Sequence, residues 1–187
     1  IHAVALTDVE LEEVAASGSS IVWSPSSNFA LYERTANIDR ILELGIPVGI
    51  GPDWTLSGED DMLAEMSFAH QWASAGNSSR VTPEVLWRMA TREGARVVGL
   101  DAFVGELAPG YVADVTVFRR RAAPVDLYEQ VVEARAEDVR LVLIGGQAHA
   151  GDGALEGALE TPGGCDAVDA CGVAKFACMG YDDTPMG

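Results

Sequence analysis

The sequence is short of positive charge. Its 187 residues carry 12 Lys and Arg against 29 Asp and Glu, a formal net charge of −17. Neutralising phosphates needs clustered Lys and Arg, so this balance argues against nucleic acid and anionic membrane surfaces as partners. It fits a solvated acidic surface, or a proteome adapted to salt. Cysteine is scarce as well, and Cys165, Cys171 and Cys178 all lie near the C-terminal end. An odd number is a poor disulfide framework, and the spacing lacks the C-x-x-C pair of a zinc knuckle. Free thiols in a cytoplasmic protein are therefore expected. No apolar run approaches the roughly 20 residues of a membrane helix. Ile1-His2-Ala3-Val4 has neither an initiator Met nor the basic and apolar regions of a signal peptide. The P-loop, G-x-G-x-x-G, G-x-S-x-G, H-E-x-x-H and EF-hand patterns are all missing, which removes the common phosphate, dinucleotide, serine-hydrolase and zincin readings.

What is there is a globular pattern of alternating elements. Thr7-Asp8-Val9-Glu10 is a capping box opening a helix to about Ala16. Ser20 to Ser24 is a short apolar run with β-branched residues and reads as a buried strand, stopped by Pro25. Ser24 to Tyr32 reads as a loop. Ile38, Ile41 and Leu42 mark a helix over 36–44, and Ile46 to Gly51 a second buried strand. Met62, Leu63, Met66 and Ala69 mark a helix over 59–72. Strand and helix alternating with short loops is the signature of βα units around a parallel sheet. Thr82-Pro83 opens a further helix. From Gly105 the character changes: Ala113 to Phe118 and Asp138 to Ile144 are β-type runs, and Gly145-Gly146 is a hairpin turn. The last residues are rich in Gly and Ala, with a short helix expected around Asp166 to Ala170.

Few residues can carry chemistry. Asp53 follows the C-terminal end of an apolar strand, where a carboxylate can ligate a metal or take a proton from water. It could equally cap the following turn. His2 stands before an apolar run, at what reads as another strand end. His70, on a helix, and His149, near a strand end, read as structural. Asn28 and Trp54 are placed to line a substrate pocket, although aromatic residues near strand ends are usually packing.

These segments together resemble the amidohydrolase superfamily, in its cytosine deaminase and chlorohydrolase branch. His2-Ala3-Val4-Ala5-Leu6-Thr7 is similar to the His-bearing end of its barrel strand six. Trp23-Ser24-Pro25-Ser26-Ser27-Asn28 resembles the P-x-S-N loop after strand seven, and Gly45 to Asp53 resembles strand eight with its terminal Asp. Met62 to Met66, Thr82 to Gly99 and Gly105 to Asp114 follow in the family's order. The resemblance covers about residues 1 to 150.

It implies an α/β fold: strands six to eight of a (β/α)8 TIM barrel with their helices over 1–104 and a small β-sandwich segment over 105–152; the remaining 153–187 read from composition as an irregular tail with a short helix. It implies a divalent metal, zinc or iron, with Asp53 as ligand and proton acceptor. His2 would hydrogen-bond water or substrate, or ligate a metal. The function implied is a hydrolase attacking a C–N or C–Cl bond of a small nitrogen-containing substrate with metal-activated water. Homo-oligomerisation is left open. Pro52 stands where the family usually has Thr, removing a hydroxyl and a backbone donor beside Asp53. The family's first-strand His-x-His and strand-five His are not in the sequence. A barrel needs about 250 residues, so the chain is expected to be a C-terminal portion, inactive alone. Two other readings are a metal-free barrel derivative serving in binding or assembly, motivated by Pro52, and an unrelated doubly wound α/β domain.

Overall fold

A computed structural model describes residues 2–122 and 126–180. The chain divides into two compact units, Ile1–Glu106 with Ala123–Glu133, and Leu107–Ala122 with Ala134–Gly187.

The first unit is built on two short parallel strands. Helix α1 (Asp8–Ala16) begins at the Thr7 and Glu10 capping box. Strand β1 (Ile21–Trp23) is followed by α2 (Pro25–Tyr32) and α3 (Ile38–Glu43), and β2 (Val48–Ile50) lies beside β1 in the register Ile21↔Val48, Val22↔Gly49, Trp23↔Ile50. Helix α4 (Met62–Trp72) is capped by Asp61 and runs into a π-helical turn over Ala73–Asn77. Then come α5 (Pro83–Ala90), α6 (Arg92–Val97) and, after the excursion into the second unit, α7 (Leu127–Val132). Parallel strands are covered by helices on both faces, which is why β2 is buried at all three positions. Trp23, Ile38, Ile41, Val48, Met66, Leu86 and Met89 form the core. Each large apolar side chain so buried stabilises the unit by about 1.5–3 kcal/mol, an upper bound given a compact unfolded chain.

The second unit is one antiparallel sheet. Its strands are β3 (Val115–Phe118), β4 (Val139–Ile144), β5 (Gln147–Asp152), β6 (Cys165–Ala170) and β7 (Val173–Cys178), in the order β3-β4-β5-β7-β6. Gly145 and Gly146 both take positive φ, 59° and 87°, as a tight hairpin turn requires. Lys175 is buried and satisfied: its Nζ donates to the carbonyls of Glu137 (3.2 Å) and Val139 (2.6 Å) and to Asp152 Oδ1 (2.6 Å). No helix among the described residues is long and apolar enough to cross a membrane.

The structure corrects several expectations. Ser24 to Tyr32 is not a loop: Pro25 opens α2 at its first position rather than merely ending β1. Residues 2–7 form no strand, because His2 and Ala3 take positive φ and the chain turns at once, Leu6 N–H donating to Ala3 O. Asp166 to Ala170 is strand, not helix, since β7 pairs with it along its length. Cys165 and Cys178 are directly opposed in that register and form a disulfide, leaving Cys171 as the free, exposed thiol. Helix α7 (Leu127–Val132) was not foreseen and belongs to the first unit.

Candidate active site

The first turn of α2 and the end of β2 bring four side chains together. Asp53 lies just beyond β2, its carboxylate Oδ2 3.6 Å from His2 Nε2. Ser27 Oγ donates to the same Asp53 Oδ2 at 2.6 Å and lies 3.1 Å from Ser57 Oγ. Asn28 Oδ1 is 2.8 Å from His2 Nδ1. Asn28 is fully buried, and its Nδ2 donates to Thr35 Oγ1 at 3.0 Å, which also accepts the indole N–H of Trp23 at 2.7 Å.

This network fixes more than position. With Asn28 Nδ2 turned to Thr35, its oxygen faces His2, so the ring nitrogen Nδ1 carries the proton. Nε2 is left as the ring nitrogen that faces the Asp53 carboxylate. An imidazole nitrogen and a carboxylate oxygen 3.6 Å apart are a pair that one metal ion can join.

The donor set suits a metal in type and spacing. Imidazole and carboxylate are ordinary zinc ligands, and two such atoms on one tetrahedral ion stand roughly 3.3 Å apart. His2 and Asp53 supply only part of a shell. Among the described residues no group of three or more His, Cys, Asp and Glu gathers.

The backbone at the site is held in rare conformations. Asp53 sits at φ 63° and His2 at φ 67°, in the left-handed region. The loop after Asp53 is tight: the amides of Ser57 and Gly58 both donate to Trp54 O, at 2.8 and 2.7 Å. A Cβ on Gly58 would meet Pro52 O at 1.6 Å, so only glycine fits there. Trp54 itself is 64% exposed. His70 lies on α4 with Nδ1 3.5 Å from Glu133 Oε1, and His149 lies on β5.

Ser27, Thr35 and Ser57 were not foreseen as site residues. The P-x-S-N segment was the one available signal for Ser27, and it becomes readable only once Ser27 is known to lie on a helical turn facing Asp53. Glu65 was also missed. It is a buried carboxyl on α4 whose Oε1 accepts the Ser26 N–H at 3.1 Å and whose Oε2 accepts the Ser26 hydroxyl. Burial pushes its carboxyl above the ordinary range, against the two Ser26 hydrogen bonds that pull it down.

The sequence pattern of the amidohydrolase family matches residues 1–149. The chain belongs to that family. Among curated relatives, a 5-methylthioadenosine/S-adenosylhomocysteine deaminase of Syntrophobacter fumaroxidans is 34% identical over 154 residues, covering 78% of this chain and 35% of the relative. A 5′-deoxyadenosine deaminase of Methanothermobacter thermautotrophicus is 31% identical over 163 residues, covering 83% and 38%. Among solved structures, an adenosine deaminase of Xanthomonas campestris with bound zinc aligns with TM-score 0.72 at 27% identity, covering 79% of this chain and 36% of that one. A zinc complex of an atrazine chlorohydrolase of Arthrobacter aurescens aligns with TM-score 0.67 at 26% identity, covering 79% and 34%. The chain thus spans about a third of the length of the relatives it matches. Residues 150–187, with the cross-linked hairpin, lie beyond the family match.

Proposed function

We propose that this chain carries the last two strands of a (β/α)8 amidohydrolase barrel and the His-bearing segment before them, and that the whole protein hydrolytically deaminates an adenine-type nucleoside. The observation that carries this reading is the convergence of His2 Nε2 and the Asp53 carboxylate, each side chain held by its own hydrogen bond to the first turn of α2. The relatives' names supply the substrate class.

In such a reaction water adds to the ring carbon bearing the amino group, and ammonia leaves. His2 and Asp53 would hold a divalent metal, zinc being the ion in the solved neighbours, with further ligands from barrel strands outside these residues. When bound, the metal supplies Lewis acidity that makes water nucleophilic near neutral pH. Asp53 accepts the proton that water gives up and passes it toward the leaving nitrogen. Ser27 keeps that carboxylate aimed, taking over the hydroxyl that Pro52 lacks. Asn28 holds the His2 ring so that Nε2 faces the reacting group. Trp54 offers an exposed indole for stacking on the base.

The test is ammonia release by the full-length protein from 5′-methylthioadenosine, S-adenosylhomocysteine and 5′-deoxyadenosine, with metal content measured on the same sample. Stoichiometric divalent metal and turnover of at least one nucleoside are expected. Metal below about a tenth of an equivalent, with no ammonia formed, would favour a binding or assembly role instead.

A further inference from the structure

Three successive residues on the first turn of α2 each take a different partner. Ser26 is held by Glu65, Ser27 holds Asp53 and Asn28 holds His2. The first of these contacts has a distinct character. The opening amides of a helix lack partners within it, and the N-cap residue Ser24 makes no side-chain capping bond. Glu65 supplies the missing acceptor from α4, 39 residues further along the chain. Its carboxyl is fully buried, where an apolar side chain would fill the space without desolvating a polar group. What the carboxyl adds is direction: both oxygens hold Ser26, by its amide and by its hydroxyl, and the Glu59 backbone steadies the carboxyl with a further hydrogen bond.

We infer that Glu65 is a positioning residue for the catalytic pair, setting Asp53 and His2 through Ser26 and the first turn of α2. The inference rests on the proposed metal-dependent reading of that pair. Without Glu65 the helix start is free to shift, and the Ser27 and Asn28 hydrogen bonds shift together, because both side chains ride on the same turn. Outer-shell groups of this kind are worth about 10–100-fold in metal affinity. Glu65 acts one contact further out, so the low end applies.

The experiment is zinc affinity, by competition with a chromogenic chelator, in the full-length protein and its Glu65→Leu, Glu65→Gln and Ser26→Ala variants. Glu65→Leu is expected to weaken zinc about tenfold, at the low end for an outer-shell group. Glu65→Gln is expected to stay within about 1.5-fold of wild type, because an amide can accept from the Ser26 N–H and donate to its hydroxyl. Combining Ser26→Ala with Glu65→Leu is expected to add no further loss, since both act through one contact. The inference is overturned by a folded Glu65→Leu protein that binds zinc as wild type, by a Gln variant as weak as the Leu variant, or by additive losses. Should Glu65→Leu not fold, Ser26→Ala decides: about threefold weaker zinc at unchanged Tm supports positioning, and unchanged affinity overturns it. A wild type that binds zinc tightly but releases no ammonia from nucleosides would sink the proposed reaction and leave this inference standing.

Discussion

Asp53 combines an unusual backbone with the central role in the proposed reaction. At φ 63° it occupies a region that Asp and Asn tolerate and most side chains do not. Asp53→Asn therefore keeps the backbone while removing the proton acceptor. We expect kcat/KM of the full-length protein to fall by roughly 10²–10⁴, with Tm little changed; a loss below tenfold would remove Asp53 from proton transfer. Its place at a strand end was legible in the sequence because it follows an apolar run directly. Ser27 was not. A serine in a polar segment has no signature of its own, and its meaning depends on a helical turn that points it at Asp53. Asn28 was singled out as a pocket residue, and the structure gives it a buried place behind the His2 ring.

The elements that could be read were those whose stabilisation is local. Helix α1 announced itself by its capping box, and α5 by Thr82 followed by Pro83. The buried strands stood out as short β-branched runs. Helix α2 escaped because it has no local cap, begins Pro-Ser-Ser-Asn, and relies on a carboxyl from α4 for its first turn. Strand β6 escaped because Cys-Asp-Ala-Val-Asp-Ala has little alternation and takes its shape from pairing with β7. A local cap should also behave locally. Thr82 Oγ1 accepts from Val85 N–H at 3.3 Å, so Thr82→Ala should lower stability by about 1 kcal/mol, read as a small fall in Tm with an unchanged site. A loss above about 3 kcal/mol would show that Thr82 does more than cap.

For the molecule as a whole, charge and thiol chemistry give two checks. Asp152 is held below the ordinary carboxylate range by the Lys175 hydrogen bond, and Arg140 adds to this. A depressed folded-state pKa contributes stability above the unfolded value, near 3.9, and that contribution is lost as pH falls through the lower folded value. Thermal melts in acid should therefore show Asp152→Asn less stable than wild type near neutral pH, with the two curves converging as the wild-type carboxylate protonates. A constant gap down to the most acidic point would assign the loss to packing. Thiol titration of the unreduced, denatured chain should find Cys171 reactive and Cys165 and Cys178 not, and reduction should expose all three. Opening a loop of this size costs about 3 kcal/mol, so reduction should also lower the Tm of the hairpin-bearing unit. Composition and charge alone could not have revealed that pairing, because the odd cysteine masks it.

Trp23 leads elsewhere. Its indole is sealed in the core, yet it reaches the His2 ring through Thr35 and Asn28 in three hydrogen bonds. A fluorinated tryptophan at this position would act as a silent antenna: its ¹⁹F resonance should move when an inhibitor or ion engages His2, although that ligand does not touch the indole, so occupancy could be followed in real time without labelling His2 or Asp53.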